Sequence, residues 1–189
     1  MKKIQFLLFV IAFITIGCGS SKEAISESNN SASKDSTVTV SENVYETVET
    51  VLDNTKINWL DFETAIDKNA KQKKFIFIDV YTDWCGWCKK MDASTFQKKS
   101  VIEYMNKYFY AVKMNAESRE PIAYKGVLYE YKQYNQRSGY NTLAVSLLNS
   151  KMSFPSFVVL NKNEVKKGNI VGYKDATALL SLLKGYVGK

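Results

Sequence analysis

The chain has 189 residues, no histidine, three cysteines and a formal net charge of +7, with 46% of its residues hydrophobic. Lysines dispersed without a nucleic-acid motif exclude a nucleic-acid partner, and the histidine and cysteine counts leave a four-ligand structural zinc site without donors. Once an export signal and a polar stretch are set aside, what remains is the size of one ordinary domain with a single core, and there are no internal repeats.

The N-terminus reads as a targeting segment. Met1-Lys2-Lys3 and the apolar run Ile4 to Ile16 form a charged region and a hydrophobic region too short to span a bilayer comfortably, the pattern of an export signal. Gly17-Cys18-Gly19-Ser20 then places a cysteine where bacterial lipoprotein signals are cut and the new N-terminal cysteine is acylated, although Thr15 stands where a leucine is usual. An uncleaved anchor, or plain secretion with a stray thiol, is the alternative; a lone thiol in an oxidising compartment is a liability, which favours a modified Cys18. Residues 1–18 are therefore expected to be the signal with its lipidated cysteine. Residues 19–54, rich in serine, asparagine, threonine and acidic side chains, are expected to be a flexible tether. Val44, Val48, Val51 and Leu52 fall near helical spacing, so a short helix is the other reading of its end.

Residues 55–189 carry the domain. Asn58 to Ala70 places Trp59, Phe62, Ala65, Ile66 and Ala70 on one face of an amphipathic helix, with Asn58 as its N-cap. Phe75 to Tyr81 is a run of aromatic and β-branched residues expected to form a central buried strand. Cys85 and Cys88 follow where strand gives way to helix. Ser94 to Phe96 is a break, Val101 to Lys107 a second helical piece and Phe109 to Met114 the next strand. An insertion at about 117–141 holds Tyr124, Tyr129, Tyr131, Tyr134 and Tyr140 and is long enough to need a helix or hairpin of its own. These rings either form a partner-recognition lip beside the cysteines or cover an exposed sheet edge. Thr142 to Leu148 is a helix. Phe157 to Leu160 and Glu164 to Val171 form an antiparallel hairpin across Asn161-Lys162-Asn163, and Asp175 caps a closing helix. The class is α/β with a mixed sheet.

The chemistry centres on Cys85 and Cys88. A cysteine at a helix N-terminus faces unpaired N–H groups and the positive end of the dipole, which favours the nucleophilic thiolate. A second cysteine one turn on is placed to resolve a mixed disulfide. Two inert buried cysteines are the alternative, but Thr82-Asp83 before the pair and Lys89-Lys90 after it argue for a site near the surface.

Asp83-Trp84-Cys85-Gly86-Trp87-Cys88-Lys89-Lys90-Met91 resembles the active-site segment of the thioredoxin family. The resemblance extends to Asp79, which matches the family's buried carboxylate, to Lys113, which matches the lysine near it, and to Phe154-Pro155-Ser156, which matches the cis-proline loop. It implies a thioredoxin-like fold, a redox-active Cys85–Cys88 disulfide and an oxidoreductase needing no cofactor or metal. In that reading Cys85 attacks, Cys88 resolves, Asp79 takes the Cys88 proton with a pKa raised by burial, and Lys113 moderates the shift. Trp84, Gly86, Trp87, Phe154 and Pro155 would meet the substrate. Trp87 replaces thioredoxin's proline, so potential and partner choice do not transfer. The expected partners are thiols and disulfides of exported proteins, a membrane electron-donor protein and the membrane itself through lipid on Cys18. The chain is expected to be monomeric, facing the periplasm. The rival is a binding module that recognises partners through the tyrosine-rich insertion, its disulfide merely structural.

Overall fold

The computed structural model describes residues 54–189. The signal, Cys18 and the tether up to Asp53 lie outside the described residues. Among the described residues no helix is long and apolar enough to cross a membrane.

The central strand is β2 (Phe75–Tyr81), flanked by β3 (Phe109–Asn115) and β8 (Ser156–Leu160) in a five-stranded sheet of order β1-β3-β2-β8-β9. The outer strands are β1 (Trp59–Leu60) and β9 (Lys166–Val171). β1 and β2 run parallel to β3, whereas β8 is antiparallel to both β2 and β9, so the sheet is mixed. Side chains alternate along β2 between two apolar layers. Phe77 points into a core shared with Met91, Phe96, Phe157, Leu179 and Leu183. Ile76, Ile78 and Val80 point into a second core with Phe62, Leu143 and Leu148. A strand buried on both faces needs no polar alternation, which explains its near-continuous apolar sequence.

Among the described residues five helices cover the sheet: α1 (Phe62–Lys71) and α4 (Thr142–Leu147) contribute to the second core, and α2 (Gly86–Ala93), α3 (Lys99–Tyr108) and α5 (Ala176–Val187) to the first. A 3-10 turn over Thr95–Gln97 separates α2 from α3, at the expected break. Asp175 caps α5 by accepting from the Ala178 N–H at 2.8 Å. The expected cap of α1 is corrected. Asp61, not Asn58, accepts from the Thr64 N–H, at 2.7 Å. Trp59 and Leu60 are instead extended, paired with Ala111 and Val112 of β3, so Trp59 packs on the first core while Phe62 enters the second. The helical periodicity was accidental over that stretch, because pairing with a strand some fifty residues later decides the conformation.

The insertion folds as two hairpins: β4 (Ile122–Tyr124) with β5 (Val127–Tyr129), and β6 (Tyr131–Gln133) with β7 (Gly139–Asn141). Lys125 and Gly126, with φ of 50° and 76°, make the tight two-residue turn that suits a right-twisted hairpin. Neither hairpin joins β1 or β9, so the edges of the main sheet are not extended by these rings. Tyr124 instead packs edge-on against Phe62 of α1, at 5.0 Å between centroids. Asn141, wholly buried, caps α4 through the Leu143 N–H and donates to the carbonyls of Glu120 and Tyr129, which fixes the insertion to the body.

Candidate active site

α2 starts where β2 ends because Cys85 is its N-cap: the Sγ accepts the Cys88 N–H at 3.1 Å. This is the contact that stabilises negative charge on Cys85 when the pair is reduced. Cys85 and Cys88 are joined by a disulfide. The pair lies near the surface, as its exposed neighbours Asp83, Gly86, Lys89 and Lys90 show, but the cysteines themselves are covered, Cys85 being only 4% and Cys88 2% exposed. Thr82, taken from its polarity as a sign of exposure, is buried as well, and its carbonyl accepts the Cys85 N–H at 3.1 Å. The exposed groups are the intervening and preceding rings, Trp84 at 64% and Trp87 at 57%.

A charged cluster in an apolar setting joins β2, β3 and α2. Asp79 shares a face of β2 with Phe77, the face on which Met91 of α2 packs, and is 1% exposed. Lys113 stands in register beside it on β3 and donates to Asp79 Oδ2 at 2.8 Å. The same ammonium makes a short contact with Asp92 Oδ1 on α2, and the rings of Trp59, Tyr81 and Phe96 surround it at 4.9, 5.2 and 5.4 Å. Burial pushes Asp79 up to about 6, against the pull of Lys113, while the Asp92 charge adds to the rise. Burial acts to lower Lys113, but Asp79 and Asp92 outweigh it and hold the ammonium above its usual value.

Lys113 thus limits how far Asp79 rises. Lys113→Met should move the Asp79 midpoint upward by about 1–3 units, the usual effect of losing an adjacent opposite charge, and Lys113→Arg should largely restore it. The titration of the Asp79 carboxyl carbon by NMR reads this directly; an unmoved midpoint would show that burial alone sets the value.

The Phe154–Pro155 bond is cis, and Pro155 O accepts the Gly172 N–H at 2.8 Å. Phe154 packs edge-on against Trp84 with centroids 5.9 Å apart, so the proline loop and the cysteine segment meet through their rings. Gly86 opens α2 with free space where a Cβ would stand. Several site residues were not singled out from sequence. Asp92 lies four positions after Cys88, one turn along the same helix, a spacing that could have revealed it. Glu117 accepts from Trp84 Nε1 at 3.0 and 3.1 Å. Tyr173 packs beside Trp87, with the Lys90 ammonium over both rings. The Glu117 and Tyr173 contacts join distant segments and leave no local pattern.

A mixed sheet between helices, with a Cys-x-x-Cys disulfide at the start of the helix after the central strand, defines a thioredoxin-fold protein. Residues 46–180 match the family model Thioredox_DsbH, described as a protein of unknown function, DUF255, and the chain belongs to that family. Among solved structures, a thioredoxin from Thermus thermophilus is similar at 12% identity, covering 70% of this chain and 88% of that one, with a TM-score of 0.53. A DsbH oxidoreductase is similar at 17% identity over 78% of this chain and 94% of that one, with a TM-score of 0.49. Spermatogenesis-associated protein 20 of Homo sapiens is 30% identical over 67 residues, which are 35% of this chain and 8% of that protein. The chain therefore spans less than a tenth of the length of this curated relative.

Proposed function

We propose that this chain is a thiol-disulfide oxidoreductase of the bacterial cell envelope that reduces or exchanges disulfides of exported proteins. The observation that supports the reading most is the joint placement of the Cys85–Cys88 disulfide at the N-terminus of α2 and of a buried Asp79 with a pKa of about 6 on the strand leading to it. In the reduced protein the Cys85 thiolate attacks one sulfur of a substrate disulfide, and the other substrate sulfur leaves as a thiolate that takes up a proton. Cys88 gives its proton to the Asp79 carboxylate and attacks Cys85 Sγ, releasing the second substrate thiolate. Two electrons pass from the dithiol to the substrate; a membrane dithiol donor protein would restore the pair. Trp84, Trp87, Phe154 and Pro155 border the approach.

The assay is reduction of insulin disulfides by the dithiothreitol-supplied protein. Turbidity should develop well ahead of dithiothreitol alone, and Cys85→Ser should abolish the gain. A wild-type trace that overlays the dithiothreitol control would sink the enzyme reading in favour of a binding module with a structural disulfide.

Location rests on the N-terminal sequence. Cys18, behind the apolar run Ile4 to Ile16, would carry lipid and hold the domain at a membrane through the acidic tether. Mass spectrometry of the protein from cells should find the mature chain starting at an acylated Cys18, and Cys18→Ala should lose the modification. An unmodified Cys18 removes the anchor and leaves the redox proposal standing.

A further inference from the structure

The ring of Trp84 is the first of a series of ring contacts that reaches the insertion. Trp84 packs on Phe154 at 5.9 Å, Phe154 on Tyr140 at 6.1 Å and Tyr140 on Tyr134 at 6.2 Å. Its two ends are exposed, Trp84 at 64% and Tyr134 at 47%. The row spans at most about 18 Å, the length of roughly five residues of extended chain. Its far half belongs to the β6–β7 hairpin, so the insertion carries the surface of the site outward. Trp84 is held in place by its Nε1 bond to Glu117, and rings fixed in advance bind with little ordering cost.

The far end of this row is basic, whereas Asp83 and Glu117 stand at the Trp84 end. From Tyr131 to Asn163 the sequence has no aspartate or glutamate, while Lys132 and Arg137 are exposed on the hairpin and Lys151 lies just before Phe154. The Lys132 ammonium sits over the Tyr134 ring at 5.7 Å. The nearby carboxylate of Glu117 is engaged by Trp84.

We propose that this aromatic row is the docking ledge for the substrate polypeptide, and that it selects extended segments that carry aromatic or aliphatic side chains near their cysteine and acidic groups up to about five residues away from it. The inference rests on the oxidoreductase reading and narrows its substrate class. Apolar side chains lie on the rings, and acidic groups meet Lys132 and Arg137 at the far end.

The test uses full-length protein, reduced and freed of reductant, in single turnovers against three disulfides: a peptide with phenylalanine and leucine near its disulfide and glutamate up to about five residues away, a peptide with serine and lysine flanks, and hydroxyethyl disulfide. Wild type should react with the acidic aromatic peptide about tenfold or more faster than with the basic one, the effect of one good contact. Tyr134→Ala, and separately the pair Lys132→Glu with Arg137→Glu, should shrink that preference to about threefold or less, with the hydroxyethyl disulfide rate unchanged. A preference absent in wild type, or surviving in both variants, overturns the ledge. So does an equal loss with hydroxyethyl disulfide, which would mark these residues as structural. A wild type inert toward all three overturns the redox reading and this inference with it.

Discussion

Cys88→Ser should accumulate covalent complexes with its partners in cells, resolved as reductant-sensitive bands on non-reducing gels, while Cys85→Ser accumulates few. The asymmetry follows from their places on α2. Cys85 is the N-cap, where the orphan amides and dipole act most strongly and where the Cys88 N–H already points at its sulfur. Cys88 lies inside the first turn and is the less exposed of the two. Without Cys88 the attack by Cys85 still forms a mixed disulfide, but no intramolecular thiol releases it. The contrast should be large, roughly tenfold or more in trapped material, because an intramolecular resolving thiol acts at very high effective concentration. If Cys85→Ser traps as much, the polarity is reversed; if neither traps, the pair does not exchange with proteins.

Asp79→Asn should make the protein slower and more stable at once. Loss of a positioned base slows the Cys88 step by about 100-fold near pH 7. The gap should close toward pH 9, where a thiol ionises unaided. Wild type should show an acid limb near pH 6, set by Asp79, that the variant lacks. Stability moves the other way. The folded chain holds the Asp79 proton more tightly than the unfolded chain, so the contribution of Asp79 to stability is most favourable below about pH 4, falls as pH rises through about 6, and then levels off. Asparagine removes that penalty, a gain of up to about 3 kcal/mol at pH 8 that vanishes at pH 3. Lys113 keeps Asp92 as a partner in the variant. Denaturant titrations of the oxidised proteins at the two pH values read the difference; equal stabilities at pH 8 would place Asp79 in water rather than under α2.

What the sequence made legible was the local and the apolar. The Phe75–Tyr81 strand, the cysteine pair at its end, the β8–β9 hairpin and the Asp175 cap each rest on neighbours in the chain, and each occurs at the expected place. Asn58 was misread because Trp59 and Leu60 take their conformation from β3, a long-range pairing with no trace in helical periodicity. The burial of Thr82 and Cys85 was missed for a related reason: polarity reports what a side chain prefers, whereas here the fold covers it. The insertion showed its need for structure, but not that one hairpin would pack on α1 and the other continue the aromatic row from the site. Asp92 was within reach of a helical-wheel argument; Glu117 and Tyr173 were not.

The position of β2 between β3 and β8 makes its completion a non-local event. Ser156–Leu160 comes later in the chain than both cysteines and β3, and it must cross back over the sheet to pair with Ile76–Val80. Without that pairing β2 would be an edge strand with one row of backbone groups unpaired, and Phe157 would be missing from the first core. The strand that leads to the cysteines thus takes its last partner from a segment some eighty residues away.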